Sequence, residues 1–338
     1  GNPDISWEKV KKSNVGLDYG FFNNSISGSV DFFRDERVDV LISGNQRAIP
    51  EYYGTTAPVA NLGTVQNQGY EIVLNLNHYF GENLRLWADL NMTHAQNKVI
   101  EGDNPELLPE YQKNNNKAIG QAYSYIDNGF YNTWDELYGT TPFNTDDSQK
   151  IPGGYQIVDF NADGIIDGFD NVPYAFAGAP QNTYNATVGF DWKGLSGFVQ
   201  FFGANNVTRQ VVFNSLGNQN NIVYDEGSYW SKDNTNADAP VPRWVTTTNG
   251  AANGSRFFYD GSYVRLKNAE IAYTFPAESK ILTSFGFESL RLFLNGNNLY
   301  IWTKMPDDRE SNFAGTGWAS QGAYPTVKRF NFGLNITF

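Results

Sequence analysis

The sequence contains no cysteine. Disulfide frameworks, thiol catalysis and cysteine-held zinc or iron–sulfur centres are therefore excluded. Positive charge is scarce as well: 24 Lys and Arg stand against 36 Asp and Glu, a formal net charge of −12. A nucleic-acid binder normally carries a basic stripe, so no nucleic-acid partner is expected. Charged residues of both signs make up only 18% of the chain, against roughly 25% in an average soluble domain. No run of about 18 apolar residues occurs, which leaves no transmembrane helix, and residues 1–20 lack the apolar core of a signal peptide. No G-x-S-x-G nucleophile motif is present. The two histidines, His78 and His94, share the parity of apolar neighbours and make no site. An enzyme is not expected.

What the chain does have is aromatic and small: 25 Phe, 20 Tyr, 8 Trp and 33 Gly. Its 338 residues would make about two domains if it were soluble. The mean hydropathy is negative, but a transmembrane β-barrel also averages polar, because every second residue faces water. Composition thus leaves two candidates, a soluble all-β protein and a barrel in a membrane.

The dominant pattern is a period of two. Phe330, Phe332, Leu334, Ile336 and Phe338 share one face, and Asn331, Gly333, Asn335 and Thr337 share the other. Tyr184 to Trp192, Tyr70 to Phe80, Leu84 to Met92 and Val15 to Phe21 alternate in the same way. Nine long strands are predicted, at about 10–21, 25–42, 63–80, 84–100, 183–192, 197–212, 262–276, 289–303 and 326–338. A phase change predicts a bulge at Lys267-Asn268, and a second is expected at Gly296-Asn297.

The connections alternate in length. Phe22-Asn23-Asn24, Gly81-Glu82-Asn83 and Lys193-Gly194-Leu195-Ser196 read as tight turns, whereas 43–62, 101–182, 213–261 and 304–325 are long and rich in Gly, Asn and Pro. Outer-membrane barrels alternate like this, with short periplasmic turns and long extracellular loops. The strands exceed the 9–11 tilted residues needed to cross a bilayer. Phe21, Phe80, Trp192, Phe275 and Phe338 fall at the ends of apolar faces, as an aromatic girdle would. These features favour the barrel over a soluble β-sandwich. Nine is an odd number, and an open sheet would leave unpaired backbone groups in lipid. Further strands are therefore expected from elsewhere in the protein.

Several stretches together resemble one family. They are Asn2-Pro3-Asp4-Ile5-Ser6-Trp7-Glu8 with Asn14-Val15-Gly16-Leu17-Asp18; Gly63 through Glu71; Asp159 through Asp170; Ser262 through Asn268; Asn295 through Leu299; and Tyr324-Pro325 with Phe332 through Phe338. In this order they resemble the C-terminal part of SusC/RagA-type TonB-dependent outer-membrane transporters of the Bacteroidota. The resemblance implies a barrel of about 22 strands around an N-terminal plug, of which residues 1–338 would supply nine. It also implies a SusD-like lid lipoprotein, drive from TonB with ExbB and ExbD, a location in outer-membrane lipid, and import of a large nutrient, oligosaccharide or peptide. A passive porin or surface receptor built on a similar barrel is the alternative.

The sharpest chemical motif is Asp159-x-Asn161-x-Asp163-Gly164-Ile165-x-Asp167-x-x-Asp170. It follows the grammar of a calcium loop, with ligands at positions 1, 3, 5, 7, 9 and 12 and glycine at 6. Asp159, Asn161, Asp163 and Asp170 would give side-chain oxygens, Ile165 its carbonyl, and Asp167 a direct or water-mediated contact. Structural Ca2+ is the expectation; no organic cofactor is. Trp134, Tyr138, Tyr155, Tyr229, Trp230, Trp244, Trp302 and Trp318 are candidates for contact with cargo or lid, since flat rings stack on sugar faces. Asp307, Asp308, Arg309 and Glu310 are charged candidates in the last long loop. Phe338 resembles the terminal signal read by the barrel-assembly machinery.

Overall fold

The computed structural model describes residues 2–50, 52, 54–139, 143–144, 151–210, 228–237, 241, 254–305 and 326–338. Nine antiparallel strands form one sheet: β1 (Lys9–Phe21), β2 (Ile26–Ile42), β3 (Ala60–Phe80), β4 (Leu84–Glu101), β5 (Asn182–Trp192), β6 (Leu195–Asn205), β7 (Tyr263–Thr274), β8 (Ser289–Thr303) and β9 (Arg329–Thr337). Each strand pairs with its neighbours in sequence, β1 and β9 with one partner each, so the sheet is a meander from β1 to β9. Among the described residues two short α-helices accompany it, α1 (Trp134–Gly139) and α2 (Lys280–Phe285).

The register aligns the alternation of every strand. One row runs Phe21–Ile26–Leu76–Ala88–Val188–Val199–Ala269–Gly296–Phe330, crossing all nine strands with small or apolar residues alone. The row starts at the turn end of β1 and finishes at the loop end of β9, so the strands are sheared past one another, as closure into a barrel requires. On β3 the apolar face runs from Tyr70 to Phe80. Ten residue steps of about 3.3 Å at a tilt of about 40° give a height of about 25 Å, that of a barrel's apolar band. These side chains stand exposed in quantity, among them Leu17, Phe32, Phe80, Val188, Leu294 and Phe332. A face of this area needs an apolar neighbour.

The opposite face is polar and hydrogen-bonded across strands. Asn297 donates to Asn268, Asn268 Nδ2 to Gln200 Oε1 at 2.5 Å, and Gln200 Nε2 to Asn185 Oδ1 at 2.9 Å, linking β8, β7, β6 and β5. Glu270 accepts from Arg291 at 2.5 Å and from Asn295 at 3.3 Å, and Asn295 accepts from Asn331 at 2.8 Å.

The turns and bulges refine the sequence expectations. The β5–β6 turn is the pair Lys193-Gly194, with φ +48° and +85°, the two left-handed residues that match strand twist. Leu195 and Ser196 therefore belong to β6. β6 ends at Asn205, short of 212, and Thr208–Gln210 pairs instead with Phe258–Asp260. The bulge beside Lys267 is present, between Leu266 and Asn268. Its partner irregularity falls at Asn298, φ +53°, not at Gly296-Asn297, which remain paired with Ala269 and Asn268; asparagine tolerates the left-handed region. The connection after β7 holds α2, capped by Ser279 and closed by Gly286 at φ +69°. The sequence reading gave no helix there, because six residues are too few to show a period.

Candidate functional site

The long connections carry the candidate residues, and described residues of two of them, 102–181 and 206–262, pack against one another. Phe130, Tyr155, Trp230 and Phe257 form one buried cluster. The Arg256 guanidinium lies 4.5 Å from the Phe130 ring and 4.8 Å from the Tyr155 ring, and donates to both oxygens of Asp127 at 3.1 and 2.9 Å. Trp230 Nε1 donates to Asn132 Oδ1 at 3.0 Å. Gly153 has φ +88°, and a β-carbon there would stand 2.4 Å from Trp230. Tyr155 and Trp230, 7% and 6% exposed, are thus interior to the loop module. As sequence these two are candidates for cargo or lid contact, with packing of the long loops the alternative for each; here residues of the two connections supply each other with a core.

Trp134 and Tyr138 behave differently. They lie one turn apart on α1, 52% and 76% exposed, with rings parallel to within 10° and centroids 5.7 Å apart. Thr133 Oγ1 accepts from Glu136 N at 3.0 Å and Glu136 Oε2 from Asn132 N at 2.7 Å, which caps the helix start. Leu137, 3% exposed, anchors the inner side. The result is a flat aromatic surface held on a fixed support. Tyr229 sits half-buried beside Trp230. Trp302 lies within β8 on the apolar face, beside Tyr300 (4.7 Å) and Phe201 (6.3 Å), on a strand and not on a loop surface. Trp244, Trp318 and Asp307, Asp308, Arg309 and Glu310 lie outside the described residues. Phe338 follows β9 and meets Phe287 edge-on at 5.3 Å.

In the 159–170 loop the acidic side chains turn toward the backbone. Asp159 accepts from Asp163 N at 3.2 Å and Gly164 N at 2.8 Å; Asp163 Oδ1 accepts from Ile165 N at 2.8 Å. Asn161 Oδ1 accepts from Asp163 N at 3.1 Å. Asp170, fully buried, accepts from Phe160 N at 2.7 Å and Asp167 N at 2.8 Å, closing the loop onto itself. Asp167 Oδ1 accepts from Phe169 N at 2.8 Å. Among the described residues no group of three or more acidic or histidine side chains is placed to hold a metal. Tyr111 donates to the Phe169 carbonyl at 2.7 Å. Burial raises its pKa above the usual value for a phenol, and the carboxylates of Asp170, Asp163 and Asp167 raise it further.

A cavity of about 440 Å³ opens between the outer ends of β2–β4 and the second connection, lined by Ile42, Val65, Val99, Asp103, Lys117 and Tyr123. At its edge Arg47 Nε donates to Asp103 at 2.5 Å and Arg47 Nη1 to the Pro58 carbonyl at 2.6 Å, tying the first connection to the second. Burial lowers the Lys117 pKa, with Glu110 opposing. The sequence reading missed Arg47, Asp103, Asp127 and Arg256. Their partners lie 56 and 129 residues away, and no local motif marks them.

No family model matches the chain. Over its whole length it is 28% identical to TonB-dependent receptor P3 of Formosa agariphila, of which it covers 35%. It is 24% identical to TonB-dependent receptor SusC of Bacteroides thetaiotaomicron, covering 32%. The chain therefore spans about a third of the length of the curated relatives it matches. Among solved structures its fold matches that of the RagAB peptide transporter, with a TM-score of 0.70, 22% identity, and coverage of 100% of this chain and 36% of that one. The open-open state of the RagAB peptide importer gives 0.66 at 21% identity. Its homologues are thus TonB-dependent receptors, SusC among them.

Proposed function

We propose that this chain, homologous to TonB-dependent receptors, is a section of the wall of an outer-membrane barrel that imports a large nutrient. One observation carries the reading: a sheet with an apolar face of bilayer height has three tight turns and the 275–288 connection at one end and the long connections at the other. Such a face is stable against lipid, where the strands satisfy each other's backbone groups. The free edges of β1 and β9 call for more strands, which the remaining barrel of the same transporter supplies, around its plug. A SusD-like lipoprotein covers the long connections, and TonB with ExbB and ExbD drives the cycle. The cargo is an oligosaccharide, for which the parallel rings of Trp134 and Tyr138 offer a stacking surface, or a peptide, the cargo named for RagAB. Removing TonB tests this against a passive porin. Loss of uptake with surface binding intact supports energised import; undiminished uptake refutes it.

Calcium at 159–170 is part of the same proposal. Asp159, Asn161, Asp163 and Asp170 would offer side-chain oxygens, Ile165 its carbonyl, and Asp167 a direct or water-mediated contact, at the expense of some amide hydrogen bonds. The ion would stiffen the second connection. Calorimetric titration with calcium checks it, with Asp159→Ala/Asp163→Ala as the control; no heat above that control rules it out.

A further inference from the structure

Cations are unevenly placed in this acidic chain. On β1–β4 the apolar face ends at the row Val15–Phe32–Tyr70–His94. Beyond it, on the same face, the rows read Ser13–Arg34–Gln68–Gln96 and Lys11–Glu36–Gln66–Lys98, with Lys9 next on β1. Residues of one parity share a face, so these polar side chains project on the side of the apolar band. Lys11, Arg34 and Lys98 are exposed. Three acids stand among them, one being Glu101, which pairs with Thr64 in the row beyond Gln66 and accepts from Thr64 Oγ1 at 3.2 Å. Asp39 accepts from Lys9 at 2.8 Å, and Glu36 lies 3.7 Å from Arg34, which also donates to Gln66 Oε1 at 3.2 Å. Four cations against three acids leave the patch net positive, although the whole chain carries −12. The rows climb by about 3 Å per strand because the strands tilt. Lys11 and Arg34 therefore stand nearest the edge of the band and Lys98 higher.

Resting on the membrane-wall reading above, that level is where lipid headgroups lie. Each Lys or Arg near an anionic headgroup layer strengthens binding about fivefold. The Arg34 guanidinium can hold phosphate through two parallel hydrogen bonds, and Gln66, Gln68 and Gln96 supply further amide donors. We infer that Lys11, Arg34 and Lys98 form a binding site for the phosphate-bearing, anionic headgroup of a membrane lipid in the leaflet at the long-loop end. The polar face offers no such arrangement to lipid, since Lys12, one residue from Lys11, projects to the other side beside Asp35.

The test uses the assembled barrel containing this chain, in nanodiscs of phosphatidylcholine with or without phosphatidylglycerol, read by native mass spectrometry of retained lipid. Lys11→Gln/Arg34→Gln/Lys98→Gln should weaken phosphatidylglycerol binding about 100-fold and leave phosphatidylcholine unchanged, while Lys12→Gln alters neither. Should the triple variant fail to assemble, Arg34→Gln alone should show about a fivefold loss. Equal phosphatidylglycerol retention in parent and variant overturns the site, as does displacement by excess inorganic phosphate. A barrel that does not enter nanodiscs refutes the membrane-wall reading itself; one that enters without distinguishing the two lipids refutes this site alone.

Discussion

Trp87 on β4 lies directly across the ladder from Gly189 on β5, and its indole fills the space that a β-carbon at 189 would take, 2.3 Å from Cζ2. Phe293 covers its register partner Gly333 in the same way, and Tyr184 covers Gly203. A glycine leaves a sheet unpacked and entropically weak; an aromatic ring laid over it from the next strand restores both contact and register. Gly189→Val should therefore destabilise the sheet by about 1–3 kcal/mol through overpacking. Trp87→Ala in the same chain should recover part of that loss. Unfolding in denaturant, monitored on the assembled barrel, measures both, and additive losses would contradict the pairing.

Leu334 pairs with Leu292 on the apolar face, and Asn335 with Arg291 on the polar one. Leu334→Arg should cost about 2–4 kcal/mol where lipid meets mid-band. Asn335→Arg meets a like charge across the ladder and should cost under about 1 kcal/mol. Folded-barrel yields from parallel refolding decide between them, and equal yields would reverse the assignment of faces.

Asp127 and Arg256 join two connections 129 residues apart through a largely buried pair of hydrogen bonds. Asp127→Ala removes a charged acceptor and should weaken the loop module by about 1–3 kcal/mol. Amide exchange should quicken around Phe130, Tyr155 and Phe257 and stay unchanged in β1–β3.

Tyr111 carries a pKa raised by burial first and then by Asp170, Asp163 and Asp167. The folded state keeps the phenolic proton at pH values where the unfolded chain has released it. Its contribution to stability is thus full below the usual phenol pKa, about 10, and is lost as pH rises through the folded value. A near-ultraviolet difference titration against Tyr111→Phe should place this phenol above the usual value. Asp170→Asn should bring it down part of the way, leaving the shift that burial, Asp163 and Asp167 cause. Calcium in the 159–170 loop should lower it too.

The alternation from Phe330 to Phe338, like that from Tyr70 to Phe80, was enough to assign strands, faces and the asymmetry of turns. A period of two is local, written into each strand by the contrast between one face and the other. The calcium-like spacing from Asp159 to Asp170 was equally legible as a pattern. What those carboxylates do was not, because their hydrogen bonds to backbone depend on how the loop turns. Short-range rules also failed for α2, whose six residues are held by a cap at Ser279 and by the buried Leu282 rather than by any repeat.

By itself, the sequence determined that this is a β-sheet with one apolar and one polar face, because alternation commits every second side chain to the same environment. Tertiary structure alone decided the shear that carries a row from Phe21 to Phe330, the union of two distant connections through Arg256 and Asp127, and the fate of the loop aromatics. Trp134 and Tyr138 are left facing out while Tyr155 and Trp230 are enclosed. The physical reason is range. Face preference is a property of neighbouring residues, whereas register, burial and ion pairing between connections exist only once segments far apart in the chain have met.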